Sequence, residues 1–217
     1  MAVPPHVKAV PTHTLKGLYL ILDAAWSENR SMVDIVRVSA AQGLQIVQYR
    51  NKIGSMQEAY REALLLRAVA ADHQVLFIVN DRCDLALAVD ADGVHLGQSD
   101  LSLNLARRLM GPDRLIGIST HQPEEVLEAT AGGADYIGFG PMYPTKTKSH
   151  HGVVVGIEGL KKARSLTSLP IFAIGGITPE SVKNIMAAGA SGVAVASAVL
   201  NAPDCEASVR AFMQSLT

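Results

Sequence analysis

Several short runs put cations, carboxylates, amides and hydroxyls directly after apolar stretches. "QYRNK" supplies Gln48, Arg50 and Lys52, and "NDRCD" supplies Asn80 and Asp81 right after "VLFIV". "HLGQSD" ends at Asp100, "STH" carries Ser119 and His121, and "GFGPMYPTKTKSHHG" carries Thr145, Thr147 and Lys148. Taken singly, each has an ordinary structural use: Arg50 in an ion pair, Asp81 as a helix cap, the threonines and lysines as a solvated loop. Together they combine positive charge (Arg50, Lys52, Lys148) with two carboxylates (Asp81, Asp100). A lone phosphate monoester needs no carboxylates. Magnesium typically takes one or two carboxylates plus substrate phosphate oxygens, so the set suits a magnesium diphosphate.

A second anion site is legible in "AIGGIT" with "GVAVASA". Gly175 and Gly176 let backbone amides approach a phosphate, and Ser197 adds an amide or hydroxyl at a helix start. The alternative is that these glycines only serve a tight turn. One phosphate beside one metal-bound diphosphate suggests group transfer with diphosphate leaving. The chain carries no GxSxG elbow, HExxH or P-loop. His95 and His121 are the acid–base candidates; His95 reads as structural, and His121 is left open.

These residues need elements that bring them to one place. "LALAVDADGVHLGQ", "EATAGGADYIGFG" and "IMAAGASGVAVAS" echo one another as helix end, turn and short buried strand. Gly133 and Gly189 suit the left-handed turn that closes a helix. The strands are nearly continuous in apolar residues, as parallel strands covered on both faces are. Extending the pattern predicts strands at 18–22, 46–49, 75–79, 93–96, 115–118, 136–139, 171–174 and 192–195. Residues 56–71 carry Met56, Ala59, Tyr60, Ala63 and Leu64 at helical spacing. Thr178 before Pro179 reads as a cap and first turn, and 203–216 as the last helix. About eight strand–helix units match a (β/α)₈ barrel, the α/β class known as the TIM barrel. The competing open doubly wound sheet should carry GxGxxG after its first strand, and "DAAWSENR" there has no glycine. In the barrel, all the strand-end residues above fall at one face.

The chain has 217 residues, 48% hydrophobic and 18% charged, which fits one globular domain over 15–217. Residues 1–14, with three prolines, read as an irregular arm. A formal net charge of −1 argues against a general nucleic-acid or membrane surface. Cys83 and Cys205 form no CxxC or metal pattern, consistent with reduced thiols in the cytoplasm. There is no signal-peptide pattern and no apolar segment of spanning length.

With these motifs assembled, the chain resembles the thiamine-phosphate synthase family from about Gly17 to Leu200. The resemblance rests on "QYRNK", "FIVNDRCDLAL", "DGVHLGQSDL", "GISTH", "YIGFGPMYPTKTK", "GIEGL", "AIGGITPESV" and "GVAVASA" in order. It implies a TIM barrel that joins a pyrimidine-methyl diphosphate to a thiazole phosphate, giving thiamine phosphate and diphosphate. It implies that Gln48, Tyr49, Arg50, Asn51, Lys52, Asn80, Ser119 and Lys148 contact the pyrimidine diphosphate. Asp81 and Asp100 would hold Mg2+. Thr145, Thr147, Gly176, Ala196 and Ser197 would meet the thiazole phosphate. Arg50, Lys52, Ser119 and Lys148 are the expected catalytic contacts. Lys146 belongs to the same substrate loop, but without a motif role it is expected to point to solvent. Asn51 is often acidic in the family and Ala196 often larger; neither change removes a needed charge. Ser149, His150 and His151 read as solvated. The partners implied are two small-molecule substrates, with homo-oligomerisation left open. The rivals are a thiazole tautomerase, a phosphate-barrel isomerase and a non-catalytic sensor of thiamine precursors. The TxTK loop, "QYRNK" and both aspartates favour the synthase.

Overall fold

The structure, a computed structural model, describes residues 15–26, 30–145 and 153–217. Eight parallel strands close into a barrel in chain order, as the sequence pattern predicts. They are β1 (Gly17–Asp23), β2 (Ile46–Arg50), β3 (Leu76–Asn80), β4 (Gly93–Leu96), β5 (Leu115–Thr120), β6 (Tyr136–Phe139), β7 (Ile171–Ile174) and β8 (Gly192–Val195). The helices are α1 (Met32–Ala41), α2 (Met56–Asp72), α3 (Cys83–Ala88), α4 (Leu103–Met110), α5 (Pro123–Ala131), α6 (Gly156–Leu166), α7 (Pro179–Ala187), α8 (Ser197–Leu200) and α9 (Cys205–Leu216). None of them is long and apolar enough to cross a membrane.

Alternate strand residues divide the core in two. Outward side chains such as Leu20, Val47, Phe77 and Ile137 pack against the helices in one large cluster. Inward ones, among them Tyr19, Ile46, Ile78, Leu115, Tyr136 and Phe172, fill the barrel. The large rings fit because their neighbours are small. A Cβ on Gly117 would lie 2.1 Å from Tyr136 Cζ and 2.5 Å from His95 Nδ1. Tyr19, Tyr136 and Phe172 pack edge to face, with centroids 5.1–5.9 Å apart.

The threefold sequence echo has a structural cause. Asp92, Asp135 and Ser191 stand just before β4, β6 and β8 and clamp the preceding strand. The Asp92 amide donates to Phe77 O (2.9 Å), and its carboxylate accepts from Phe77 N (2.8 Å). Asp135 does the same to Ile116 (2.9 and 2.7 Å). Ser191 does so to Ile171 (2.8 and 3.2 Å). Gly133 and Gly189 take the positive φ expected of them, 81° and 100°.

Boundaries differ from the sequence expectation in a consistent way. β4, β6, β7 and β8 match it. β1, β2, β3 and β5 run further, taking in Asp23, Arg50, Asn80, and Ser119 with Thr120. These polar residues remain in ladder pairing instead of starting loops. On α2 the buried stripe is Ala59, Ala63, Leu66, Arg67 and Ala70, while Met56 and Tyr60 are exposed. Arg67 is buried because Asp92 and the Asp90 carbonyl take its guanidinium. Ser55 and Glu58 form a capping box that starts the helix. Pro179 stands in the first turn of α7, as read. α9 begins at Cys205, two residues later than expected, because Asp204 caps it by accepting from Ala207 N (2.9 Å).

Candidate active site

At the carboxyl end of the barrel the inward face turns from apolar to polar. Along β1 the inward series runs Tyr19, Ile21, Asp23; along β2, Ile46, Gln48, Arg50; along β5, Leu115, Gly117, Ser119. The mouth encloses a cavity of about 790 Å³. Gln48, Arg50, Asn80, Ser119, Thr145, Gly176, Ala196 and Ser197 all line it. So does Asp23, which the sequence reading passed over. Asp23 is 2% exposed and bonds the Arg50 guanidinium across the β1–β2 register.

Beside this cavity lies the charged cluster. Lys52 Nζ sits 2.6 Å from Asp81 Oδ2. Asp81 takes φ 62°, a left-handed conformation that Asp and Asn tolerate. Its amide bonds the His95 carbonyl at 2.8 Å. Asp100 Oδ2 accepts from Gly97 N at 2.7 Å. The two carboxyls are close enough for each to bear on the other's protonation. Burial works to raise Asp81, but the bonds from Lys52 and Asp100 and the charge of Arg50 hold it below the usual carboxylate range. Burial and then Asp81 push Asp100 above that range. Two neighbouring carboxyls of this kind are oxygen donors of the type a divalent cation takes. Among the described residues no group of three His, Cys, Asp or Glu comes together. A pair of carboxylates suits an ion that draws its remaining ligands from substrate or water.

The loop after β6 is stitched to the end of β7. Met142 N donates to Ile174 O (2.9 Å) and Tyr143 N to Gly175 O (3.0 Å). Gly175 and Gly176 have φ 97° and 65°. A Cβ on Gly176 would lie 2.7 Å from Pro144 O and 2.8 Å from Tyr143 Cβ. The two glycines thus seat the β6 loop as well as lining the cavity.

Other expected residues fall elsewhere. Tyr49 is 1% exposed; its hydroxyl donates to Glu62 on α2 (2.6 Å) and accepts from Asn51 Nδ2 (2.9 Å). Asn51 Oδ1 accepts from Ile53 N (3.0 Å) and Gly54 N (2.9 Å). Both side chains shape the β2–α2 connection behind the cavity, because odd and even strand residues face opposite ways. Lys146, Thr147 and Lys148, like Ser149, His150, His151 and the arm 1–14, lie outside the described residues. His121 lines the cavity, with Glu125 on its backbone amide (2.6 Å) and 3.2 Å from its Nδ1. His95, read as structural, is in the cavity wall, with Nε2 3.0 Å from Ser119 Oγ.

Comparison with known proteins agrees with this architecture. The family model described as thiamine monophosphate synthase matches residues 18–199. The thiamine-phosphate synthase of Chloroflexus aurantiacus is 46% identical over 193 residues, 89% of either chain. That of Methanospirillum hungatei is 45% identical over 90% of this chain and 95% of its own. The solved thiamine phosphate pyrophosphorylase of Pyrococcus furiosus superposes with a TM-score of 0.85 at 34% identity, covering 95% of this chain and 98% of that one.

Proposed function

Since the chain belongs to the thiamine-phosphate synthase family, a family of transferases, we propose that it condenses a 4-amino-pyrimidine-methyl diphosphate with a thiazole phosphate. The products are thiamine phosphate and diphosphate. The observation that carries this reading is the convergence of Gln48, Arg50, Asn80 and Ser119 in one cavity wall, with Lys52, Asp81 and Asp100 beside it.

In this reading the pyrimidine diphosphate lies on the β2, β3 and β5 side. Arg50 and Lys52 carry charge to meet its diphosphate, and Asn80 and Ser119 offer donors. Tyr49 and Asn51 support that segment from behind. Asp81 and Asp100 would hold Mg2+, which when bound supplies positive charge to the departing diphosphate oxygens. The thiazole phosphate takes the β7–β8 side at Gly176, Ala196 and Ser197, with Thr145 at the rim. Thr147 and Lys148 are assigned from the sequence alone. The carbon–oxygen bond breaks first, diphosphate leaves with the electron pair, and the pyrimidine-methyl cation draws electron density from its ring amino group. The thiazole nitrogen then attacks that carbon. Catalysis comes from positioning two ligands and from neutralising charge on the leaving group, with no enzyme nucleophile.

The test is to incubate the pure protein with both substrates and magnesium, then assay thiamine phosphate and released diphosphate. Both should appear in equal amounts. Diphosphate release without thiamine phosphate, or neither product, refutes the reading.

A further inference from the structure

Gln48 and Ser119 both line the cavity, and the barrel interior joins them by a second route. Gln48 Nε2 donates to Tyr19 Oη at 2.7 Å. Tyr19 Oη lies 2.9 Å from Tyr136 Oη, which lies 3.2 Å from His95 Nδ1. His95 Nε2 lies 3.0 Å from Ser119 Oγ. Tyr19 and Tyr136 are fully buried, and Gln48 and His95 nearly so. Burial pushes both phenols well above their usual range, so each keeps its proton. The edge-to-face packing with Phe172 holds the rings in place.

A phenol has one proton to donate, and so does a neutral imidazole. With Gln48 donating to Tyr19, the Tyr19 proton goes to Tyr136 and the Tyr136 proton to Nδ1. Nδ1 is then the bare nitrogen, and Nε2 carries the proton that Ser119 Oγ accepts. The Ser119 proton is left to point into the cavity. At the other end Gln48 has turned Nε2 inward and spends one of its two protons on Tyr19, so Oε1 is the acceptor it presents to the ligand. If Gln48 presented Oε1 to Tyr19, every bond would reverse, the proton would move to Nδ1, and Ser119 would spend its own proton on His95.

We propose that the buried chain Gln48–Tyr19–Tyr136–His95–Ser119 is a positioning device that fixes Gln48 as an acceptor and Ser119 as a donor toward the ligand. The two ends are coupled: reversing one reverses the other. The polarity suits a ligand with a ring amino group at one end and anionic oxygens at the other, and its functional part rests on the proposed function above. Tyr19, Tyr136 and His95 are thereby positioning residues for the two cavity-facing groups.

The chain is tested without substrate by nitrogen NMR of ¹⁵N-histidine-labelled protein, with His95 assigned through loss of its signals in His95→Gln. In the wild type Nε2 should give a pyrrole-type signal and Nδ1 a pyridine-type one. Tyr136→Phe removes the donor to Nδ1, and the two signals should move toward each other. Gln48→Glu, measured above the pKa of its own carboxyl, puts an acceptor at the far end, and the proton should move to Nδ1. Gln48 does not touch His95, so that change reports transmission through both phenols. If one variant fails to fold, the other decides. A proton on Nδ1 in the wild type, or an unchanged tautomer in the folded variants, overturns the proposal. In single turnover Tyr136→Phe should slow product formation about tenfold, the size of one lost hydrogen bond. Its KM for the thiazole phosphate should stay within about twofold. A rate loss without a tautomer change marks a merely structural effect and also overturns it. Failure of the wild type to make thiamine phosphate would refute the function while leaving the NMR result standing.

Discussion

Asp81 stands in a left-handed turn with Lys52 on one oxygen and Asp100 beside it. Asn tolerates that backbone nearly as well as Asp. Asp81→Asn should therefore fold normally while losing a charge from the proposed metal site. We expect turnover to fall at least tenfold at limiting magnesium and the magnesium needed for half activity to rise. A magnesium titration of both Asp81→Asn and Asp100→Asn checks this; undiminished turnover in both removes the assignment. Asp23 is the residue that sequence reasoning missed. It follows "LYLIL" as Asn80 follows "LFIV", yet nothing in a one-dimensional string says that Arg50 will be its cross-strand neighbour. Asp23→Asn leaves the Arg50 guanidinium without its carboxylate, and hydrogen bonds to charged groups are worth about 1.5–3 kcal/mol. Urea unfolding should register a loss of that order, together with weaker binding of the pyrimidine diphosphate as Arg50 loses its fixed orientation.

Elements were legible wherever polarity and pairing coincide. The strands at 93–96, 136–139, 171–174 and 192–195 were readable to the residue because their apolar runs end where their ladders end. Four other strands were read one or two residues short at the mouth. There the inward side chain is polar because it faces the cavity, and polarity in a string looks like a loop. The Gly175–Gly176 pair was legible as a special backbone, but only half of its reason was. The sequence suggests room for an anion; the fold adds the β6 loop resting on the same atoms. Gly176→Ala should strain a positive φ by about 1–2 kcal/mol and push Tyr143 and Pro144 outward. The apparent affinity for the thiazole phosphate should drop more than that for the pyrimidine diphosphate, with a lower melting temperature. If affinity for the thiazole phosphate holds while the protein is destabilised, Gly176 serves the loop alone. At α2, Ser55→Ala opens the capping box and should cost about 1 kcal/mol in denaturant unfolding without touching turnover.

Over the whole molecule, chemistry and cohesion occupy opposite ends of the barrel. The mouth carries the polar residues of the cavity, and the closed end carries the clamps made by Asp92, Asp135 and Ser191. The echo "DADG", "GADY", "GASG" was visible in the sequence as a repeat, but its purpose was not, since the partners Phe77, Ile116 and Ile171 lie at least fifteen positions earlier. Each clamp ties one strand to its successor, and the three fall on β3–β4, β5–β6 and β7–β8. These side-chain clamps group six of the eight strands in pairs, although the backbone ladder runs continuously around the barrel. Cooperative units of local opening often coincide with such supersecondary pieces. Amide hydrogen exchange should therefore show the members of each pair opening together. The Phe77 amide should track β4, the Ile116 amide β6 and the Ile171 amide β8. Asp135→Ala should release β5 and β6 into faster exchange as one unit while β7 and β8 keep their protection, so that a carboxylate at the closed end governs how long the strand bearing Ser119 stays in place at the other.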